Sequence, residues 1–211
     1  MFRILSKLML GLTLAGLLAG CAADPVWAPD ADIQKVAYRH NGPPKITLFT
    51  MVNVRSGAGA HTSMMINGSQ RIIWDPSGSF KHPQIPERND VLFGANPQVA
   101  DVYTRFHARE TFYVKVQEKV VSAEVAEKAM QLAMNNGAVM NAYCAHSTSS
   151  ILSKLPGFEG VKPQMYPNKV AEQFGALPGV TERVLREYDS DDNSKVLRDF
   201  VPGKAQPAAA D

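Results

Sequence analysis

The hydrophobic pattern along the chain predicts several β-strands, two of them joined in a hairpin. Residues 46–54 are rich in β-branched and aromatic side chains and predict a buried strand. Residues 61–66 and 71–74 flank Asn67-Gly68-Ser69-Gln70. This pattern predicts a hairpin because Asn and Gly accept the backbone angles of tight turns. Residues 111–117 alternate between apolar and polar side chains, which predicts a further strand.

Three helices are predicted from the spacing of apolar residues and from their end signals. The first covers residues 98–106, and the second has Ser122 as its N-cap and Gly137 as its stop. The third begins near Cys144 and ends at Pro156. The order strand, hairpin, helix, strand, helix, helix predicts an α+β fold with an antiparallel sheet packed against helices.

Residues 1–20 have the pattern of a signal peptide for export. Arg3 and Lys7 make a positive start, and an apolar run over residues 8–18 follows. This run is too short to span a bilayer comfortably. It ends at Leu18-Ala19-Gly20-Cys21, a tetrad that resembles the bacterial lipobox. An ordinary secretory peptide followed by a chance cysteine is the alternative interpretation.

The resemblance to a lipobox implies a lipoprotein that is cleaved before Cys21. That cysteine would carry a diacylglyceryl thioether with palmitate-type chains and usually a further, amide-linked acyl chain. Because several acyl chains anchor firmly whereas one binds only marginally, we expect stable attachment to the membrane. The protein is then expected in the bacterial cell envelope, facing the periplasm. Ala22 and Ala23 follow the cysteine, and in enterobacterial lipoproteins this resembles an outer-membrane rather than an inner-membrane address.

The mature chain is predicted to have one folded domain between two less ordered ends. Residues 21–44 contain four prolines and little periodicity, which is typical of a tether. The domain is expected over residues 45–188. Residues 189–211 include Asp191-Asp192 and a run of alanines, and they are predicted to be mostly disordered.

Composition and charge exclude some classes of function. With 211 residues, 45% hydrophobic and 20% charged, the chain can bury one core. It has 22 Lys and Arg against 20 Asp and Glu, and removing Arg3 and Lys7 with the signal peptide leaves 20 against 20. A mature chain without net charge argues against nucleic acid as a partner. No cofactor or metal motif stands out, so we expect neither.

Cys144 is the one thiol left if Cys21 carries lipid, and two hypotheses for it stay open. Cys144, Thr148, Ile151 and Leu155 have the spacing of a buried helix stripe, so Cys144 could be a small core residue. Alternatively, its place in the first helical turn favours a thiolate, because unpaired N–H groups and the helix dipole stabilise negative charge there. The same N–H groups can donate to an oxyanion.

A thiolate enzyme needs an imidazole, and His61 is the best placed of five histidines. It begins a strand directly after a flexible turn, a position from which a side chain can reach a cleft. His146 is two residues from Cys144 and points to another side of the helix, and His107 ends a helix, where it is expected to cap carbonyls. The remaining two, in the tether and in a Pro-rich stretch, are His40 and His82.

The hairpin selects Asp75 as the partner of His61. If Asn67-Gly68-Ser69 forms a three-residue loop, Ile66 pairs with Gln70 and His61 lies opposite Asp75, with side chains on the same face. Asp75 could then hold the imidazole in the tautomer that leaves the other nitrogen free for Cys144. A two-residue loop would place Trp74 opposite His61, and an ordinary turn aspartate before Pro76 is the alternative role for Asp75.

Three short motifs carry a resemblance to a known family. The order His61-Thr62-Ser63, Trp74-Asp75-Pro76-Ser77-Gly78 and Tyr143-Cys144-Ala145-His146 resembles the circularly permuted branch of NlpC-type papain-like cysteine hydrolases, over residues 45–155. The resemblance implies a permuted papain-like fold with Cys144 as nucleophile, His61 as base and a polar third residue, for which Asp75 is our candidate. His146-Ser147 departs from the family, where an aromatic or small polar pair is common.

These observations lead to an expected function. We expect an envelope-anchored hydrolase that cleaves an amide, or alternatively a thioester or ester, through an acyl-enzyme on Cys144. The expected location favours cell-wall peptide as the substrate. The oxyanion site would use the backbone N–H of Cys144 and, as a second donor, the Tyr143 hydroxyl. Two alternatives remain: an acyltransferase acting on lipid, and a catalytically silent binding or scaffolding lipoprotein in which Cys144 belongs to the core.

Overall fold

The computed structural model describes residue 23 and residues 25–201, and its centre is a seven-stranded antiparallel sheet with the strand order β4-β5-β3-β2-β1-β6-β7. The strands are β1 (Lys45–Asn53), β2 (Gly59–Asn67), β3 (Arg71–Trp74), β4 (Glu87–Arg88), β5 (Val91–Leu92), β6 (Phe112–Val120) and β7 (Thr181–Leu185). The described helices are α1 (Asp30–Val36), α2 (Pro97–His107), α3 (Ala123–Met134), α4 (Cys144–Leu152), α5 (Pro167–Gly175) and α6 (Ser194–Asp199). The predicted α+β fold with an antiparallel sheet is confirmed.

The predicted strands and helices are present, with small differences at their ends. Ser122 is the N-cap of α3 and accepts the backbone N–H of Val125. Helix α3 ends at Met134, before Gly137, and α4 ends at Leu152, before Pro156. The sequence did not predict β4, β5, α5 or β7, because two-residue strands and a largely exposed edge strand leave little hydrophobic pattern.

The hairpin register differs from the prediction by two residues. Asn67 pairs with Arg71 and Ile66 with Ile72, so the loop is Gly68-Ser69-Gln70. Asn67 stays in the ladder because its buried amide donates to the carbonyl of Pro43 at 2.7 Å. A shift of two residues keeps every side chain on its predicted face, whereas a shift of one would have reversed it.

The described part of residues 21–44 is folded onto the domain, which corrects the prediction of a tether. It contains α1, whose Ile33 and Val36 pack against the hydrophobic core. The chain already reaches the sheet at Trp27, which forms an isolated bridge with Arg88. Ile33 and Val36 are three residues apart, which is the spacing of one helix face. The prolines on both sides of α1 favoured the prediction of an irregular tether over this short helical pattern.

Residues 189–201 are also ordered against the domain, although the sequence predicted disorder. They include α6, and the side chain of Phe200 is 2% exposed in the core against α2. Asp191 accepts bonds from the backbone and hydroxyl of Thr111. The charged composition of this segment led to the prediction of disorder, although the segment contains the large aromatic residue Phe200. Burial of such a side chain stabilises a segment by several contacts at once.

Some predictions concern residues that the structure does not describe. The predicted signal peptide (1–20), the lipidation site Cys21 and the end of the predicted tail (202–211) lie outside the described residues. Within residue 23 and residues 25–201, no helix has the length and apolar character needed to cross a membrane.

The sheet has a hydrophobic core on each face. On one face, side chains of β1, β2 and β3 pack against α3, α4 and α5. On the other face, residues such as Phe49 and Met51 of β1 pack against α2 and Phe200. His61 pairs with Met51 across β1 and β2, so it lies on the α2 face, whereas Cys144 belongs to a helix of the opposite layer.

The two layers meet at an open edge of β2. Strand β3 ends at Trp74, which pairs with Met64, so β3 gives no partner to residues 59–63 of β2. The first turn of α4 lies against this free edge, where the backbone N–H of Thr62 bonds Cys144. The early end of β3 thus lets residues from opposite faces of the sheet come together.

Candidate active site

Cys144 is the first residue of α4, and its side chain is 7% exposed. Its sulfur interacts with the ring of His61 and with the backbone N–H groups of Thr62 and Ala145. Three hydrogen-bond partners around one buried sulfur are unusual for a cysteine that only fills space. The structure therefore brings together the predicted nucleophile and the predicted base.

His61 is held on its other side by Asp75. The His61 Nε2 and Asp75 Oδ1 atoms are 2.7 Å apart, and the two side chains are 16% and 3% exposed. An ionised carboxylate only accepts hydrogen bonds, so Nε2 carries the proton and donates it. The remaining ring nitrogen, Nδ1, is left to face Cys144, which is the arrangement that the hairpin argument predicted despite its incorrect register.

The charges of these three groups are mutually stabilising. Burial lowers the pKa of His61, but hydrogen bonds and charges from Asp75 and Cys144 outweigh it and raise the pKa to about 10. Burial raises the pKa of Cys144, and the hydrogen bond and charge of His61 reverse this and lower it. Burial also raises the pKa of Asp75, and the hydrogen bond and charge of His61 outweigh burial and lower that pKa. These shifts favour the thiolate, the imidazolium and the carboxylate over the uncharged forms of the three groups.

Tyr103 and Ser63 complete the surroundings of Asp75, and the sequence analysis missed both. The Tyr103 hydroxyl lies 2.6 Å from Asp75 Oδ1 and 2.7 Å from the Ser63 hydroxyl. A phenol has one proton and the carboxylate can only accept, so Tyr103 donates to Asp75 and accepts from Ser63. A signal existed, because Tyr103 lies on the apolar stripe of α2 and a buried tyrosine hydroxyl needs a partner.

His107 is a second imidazole beside the first. Its ring stacks on His61 with centroids 5.9 Å apart and planes 17° from parallel, and its Nδ1 lies 2.9 Å from the Tyr103 carbonyl. Burial, with a contribution from the charge of His61, lowers the pKa of His107 to about 4. His107 is therefore neutral, with Nδ1–H donating to the carbonyl. The predicted contact with a helix carbonyl occurs, and the position next to His61 was not predicted.

Three of these residues also have ligand atoms at the spacing of a metal site. One potential ligand atom each from His61, Asp75 and His107 lies within 4.8 Å of the others. The Nε2 of His61 is bonded to Asp75, and Nδ1 of His107 is bonded to the Tyr103 carbonyl. In this arrangement His61 and Asp75 bond to each other, and His107 stacks on His61 while bonding to the Tyr103 carbonyl.

Of the two predicted oxyanion donors, the structure brings one to the nucleophile. The backbone N–H of Cys144 belongs to the first turn of α4, where N–H groups have no partner within the helix. The Tyr143 side chain is 41% exposed, and its ring lies edge-on to His146 at 6.1 Å. The side chains of Tyr143 and His146 line a separate cavity of about 280 Å³, and neither Cys144 nor His61 lines that cavity.

A cavity of about 430 Å³ opens beside His61. Its walls come from the turn after Asp75, the end of α2 and the segment that precedes α6. Residues that line it include Ser79, Phe106, His107, Arg109, Phe112 and Asn193. The cavity combines apolar and polar side chains and borders the site at His61 and His107, whereas Cys144 is not among its lining residues.

The turn after β3 fits closely around the Asp75 carboxylate. Gly78 donates its N–H to the Asp75 carbonyl at 2.9 Å. A Cβ atom at residue 78 would lie 1.8 Å from Asp75 Oδ2, a distance that no side chain can occupy. Glycine is therefore required here by the close approach of the carboxylate, and the DPSG motif has a physical role beyond the turn.

Comparison of the chain with protein-family models, with curated proteins and with solved structures found no match. The resemblance to permuted NlpC-type hydrolases therefore rests on the three motifs around His61, Asp75 and Cys144.

Replacing Gly78 by alanine should disrupt the site without removing a catalytic side chain. The new Cβ displaces the Asp75 carboxylate, so the pKa of His61 should fall from about 10 toward the ordinary histidine value of about 6.5. NMR titration of the His61 ring measures this change.

The matched control is Gly160→Ala, whose Cβ would meet only the Leu177 side chain at 3.5 Å. This variant should leave the His61 titration as in the wild type. An unchanged pKa of His61 in Gly78→Ala would contradict the role assigned to the close packing of this turn.

Proposed function

We propose that this protein is a cysteine hydrolase in which Cys144 is the nucleophile, His61 the acid and base, and Asp75 the residue that orients His61. The observation that carries the proposal is the hydrogen-bonded series from the Cys144 sulfur through the His61 ring to the Asp75 carboxylate. Its order along the chain, with the histidine strand before the cysteine helix, is also what the resemblance to permuted NlpC-type hydrolases implies.

The reaction proposed is hydrolysis of an amide in two steps. The Cys144 thiolate attacks the carbonyl carbon, and the developing oxyanion is stabilised by N–H groups at the start of α4. His61 gives its proton to the leaving amine, the carbon–nitrogen bond breaks, and a thioester forms on Cys144. His61 then takes a proton from water as the oxygen of that water attacks the thioester. The carbon–sulfur bond breaks, which releases a carboxylic acid and restores the Cys144 thiolate beside protonated His61.

The cavity beside His61 supports a peptide-like substrate. Lipid acyl transfer calls for a long apolar channel, whereas the walls of this cavity include the charged side chains of Arg109 and Asp191. Polar groups spaced among apolar ones suit the alternating character of a peptide. Cell-wall peptide is the proposed substrate, because an enzyme that is exported and anchored in the envelope has access to the amide bonds of the cell wall.

We also propose that the protein is anchored to the bacterial outer membrane through lipid on Cys21, on the strength of the Leu18-Ala19-Gly20-Cys21 tetrad. The described chain joins the sheet at Trp27. Residues 22–26 alone would then link the lipid to the folded domain, and five extended residues span about 18 Å at most. The domain would therefore work close to the membrane surface.

Iodoacetamide labelling of the folded protein tests the nucleophile. Because His61 lowers the pKa of Cys144, labelling should remain fast below about pH 7, where an ordinary thiol with a pKa of about 8.5 is almost fully protonated. In His61→Ala the pKa of Cys144 should rise, and the labelling profile should shift to higher pH. Mass spectrometry measures the labelled fraction with time.

The matched control is His146→Ala, since His146 is a histidine on the same helix that packs against Tyr143 instead of the sulfur. It should label like the wild type. Labelling that occurs only after denaturation would remove Cys144 from catalysis and favour a silent binding protein.

Digestion of peptidoglycan in ¹⁸O-labelled water tests the substrate and the reaction together. Hydrolysis should produce new peptide ends, with one ¹⁸O atom in each released carboxylate, and Cys144→Ala should produce none. Mass spectrometry of the released peptides detects the label. Transfer of an acyl chain from phospholipid vesicles to an added acceptor, without ¹⁸O uptake, would instead support the acyltransferase.

Lipid on Cys21 is tested by fractionating cells that express the full chain. The wild type should appear in the outer-membrane fraction with acyl chains on Cys21, and Cys21→Ala should lose this modification because the thioether cannot form. Mass spectrometry of the N-terminal peptide checks it. An unmodified, soluble mature wild-type protein would contradict the proposal.

A further inference from the structure

Strained backbone is concentrated in three loops near the site. Among the described residues, the non-glycine residues with positive φ are Ser77 (56°), Asn89 (42°), Asp90 (70°) and Ala142 (68°). Ser77 follows Asp75 in the turn after β3, Asn89 and Asp90 join β4 to β5, and Ala142 precedes Cys144 by two residues. Side chains at such φ values cost free energy, so they persist where surrounding contacts enforce them.

Asp90 bonds to both of the other loops. Its carbonyl accepts the backbone N–H of Asp75 at 2.8 Å, and its carboxylate accepts the backbone N–H of Ser77. The Oδ2 atom of the same carboxylate accepts the backbone N–H of Val139 at 2.7 Å. Asp90 is 6% exposed, so these bonds are made away from water, where losing one is costly.

The Ser77 hydroxyl makes a second connection between the same loops. It lies 3.0 Å from the carbonyl oxygen of Val139 and 2.6 Å from that of Met140. The turn that carries Asp75 and the loop that leads into Cys144 are therefore joined by a carboxylate from one side and a hydroxyl from the other. Neither connection passes through His61.

We propose that Asp90 is a positioning residue, which together with Ser77 clamps the loop before Cys144 to the turn after Asp75 and so sets the thiol against the imidazole. This inference rests on the proposed function, since it concerns the geometry of the same pair of reacting groups. The clamp explains why strained residues occur in all three loops. Each loop is held in one conformation that brings its hydrogen-bonding group to the others.

The charge of Asp90 gives the clamp a dependence on pH. Burial raises the pKa of Asp90 to about 6, helped by the nearby charge of Glu87, while the N–H groups of Val139 and Ser77 and the charge of Lys81 act in the opposite direction. Above this pKa the carboxylate accepts both N–H groups. Below it the protonated acid has less acceptor capacity, so the clamp weakens as the pH falls.

Three variants of the turn between β4 and β5 test the clamp, with the iodoacetamide labelling rate of Cys144 as the readout. Asp90→Ala removes the acceptor and should slow labelling roughly tenfold at neutral pH. Asp90→Asn keeps an acceptor oxygen and tolerates positive φ, so it should retain most of the rate. Asn89→Ala strains the same turn without touching the clamp and should label like the wild type.

The pH profile supplies a readout that a merely structural role would not change. Labelling of the wild type should fall more steeply below about pH 6 than labelling of Asp90→Asn, because the amide does not titrate. If Asp90→Ala fails to fold, the comparison of the wild type with Asp90→Asn still tests the clamp. Identical profiles for the wild type and Asp90→Asn would overturn the clamp.

Two other outcomes would overturn the inference. One is Asp90→Ala labelling as fast as the wild type, which leaves the proposed hydrolase intact and removes only the clamp. The other is Asn89→Ala labelling as slowly as Asp90→Ala, since strain in the turn would then be responsible. Failure of the wild type to label in the folded state would mark failure of the proposed function itself, and the clamp would fail with it.

Discussion

The buried carboxylate of Asp75 is the constraint on which the arrangement of the site depends. A charge that is 3% exposed has to be compensated, and leaving a buried charge without its partner costs about 3–5 kcal/mol. His61 and Tyr103 supply the compensation through hydrogen bonds to the same oxygen. Gly78 makes room for the other oxygen. The imidazole orientation, the buried tyrosine and the sequence of the turn are all consequences of placing this one acid inside the protein.

A second physical feature is the early end of β3. If β3 continued beyond Trp74, its backbone would occupy the edge of β2 where Cys144 receives the Thr62 N–H. Because the strand stops, α4 from one layer reaches His61 from the other without crossing the sheet. In place of further strand pairing, the three loops around Asp90 connect the two halves of the site. The side chains of Asp90 and Ser77 make these connections by hydrogen bonds to backbone groups. This arrangement explains how a thiol and an imidazole that belong to opposite layers come together.

The segments at the two ends of the domain pack on different parts of it. Helix α1 packs on the hydrophobic core through Ile33 and Val36, and the segment before α6 forms a wall of the cavity beside His61. Phe200 is buried in the same core as α2, the helix that also carries Tyr103 and His107. The cavity beside His61 is therefore built from parts of the chain that lie far apart in sequence. Its mixture of apolar and charged groups is the feature that favours a peptide over a lipid chain in the proposed function.

The sequence by itself determined the fold class, four of the seven strands, three of the six described helices, and Asp75 as the partner of His61, because these follow from local patterns of apolar residues and turns. It predicted the side on which Asp75 lies even with an incorrect register, since strand faces alternate every two residues. The Tyr103 bond, the His107 stack, the Asp90 clamp and the burial of Phe200 were decided only by the tertiary structure. Each joins residues from separate elements, and no local periodicity records which buried polar group will meet which partner.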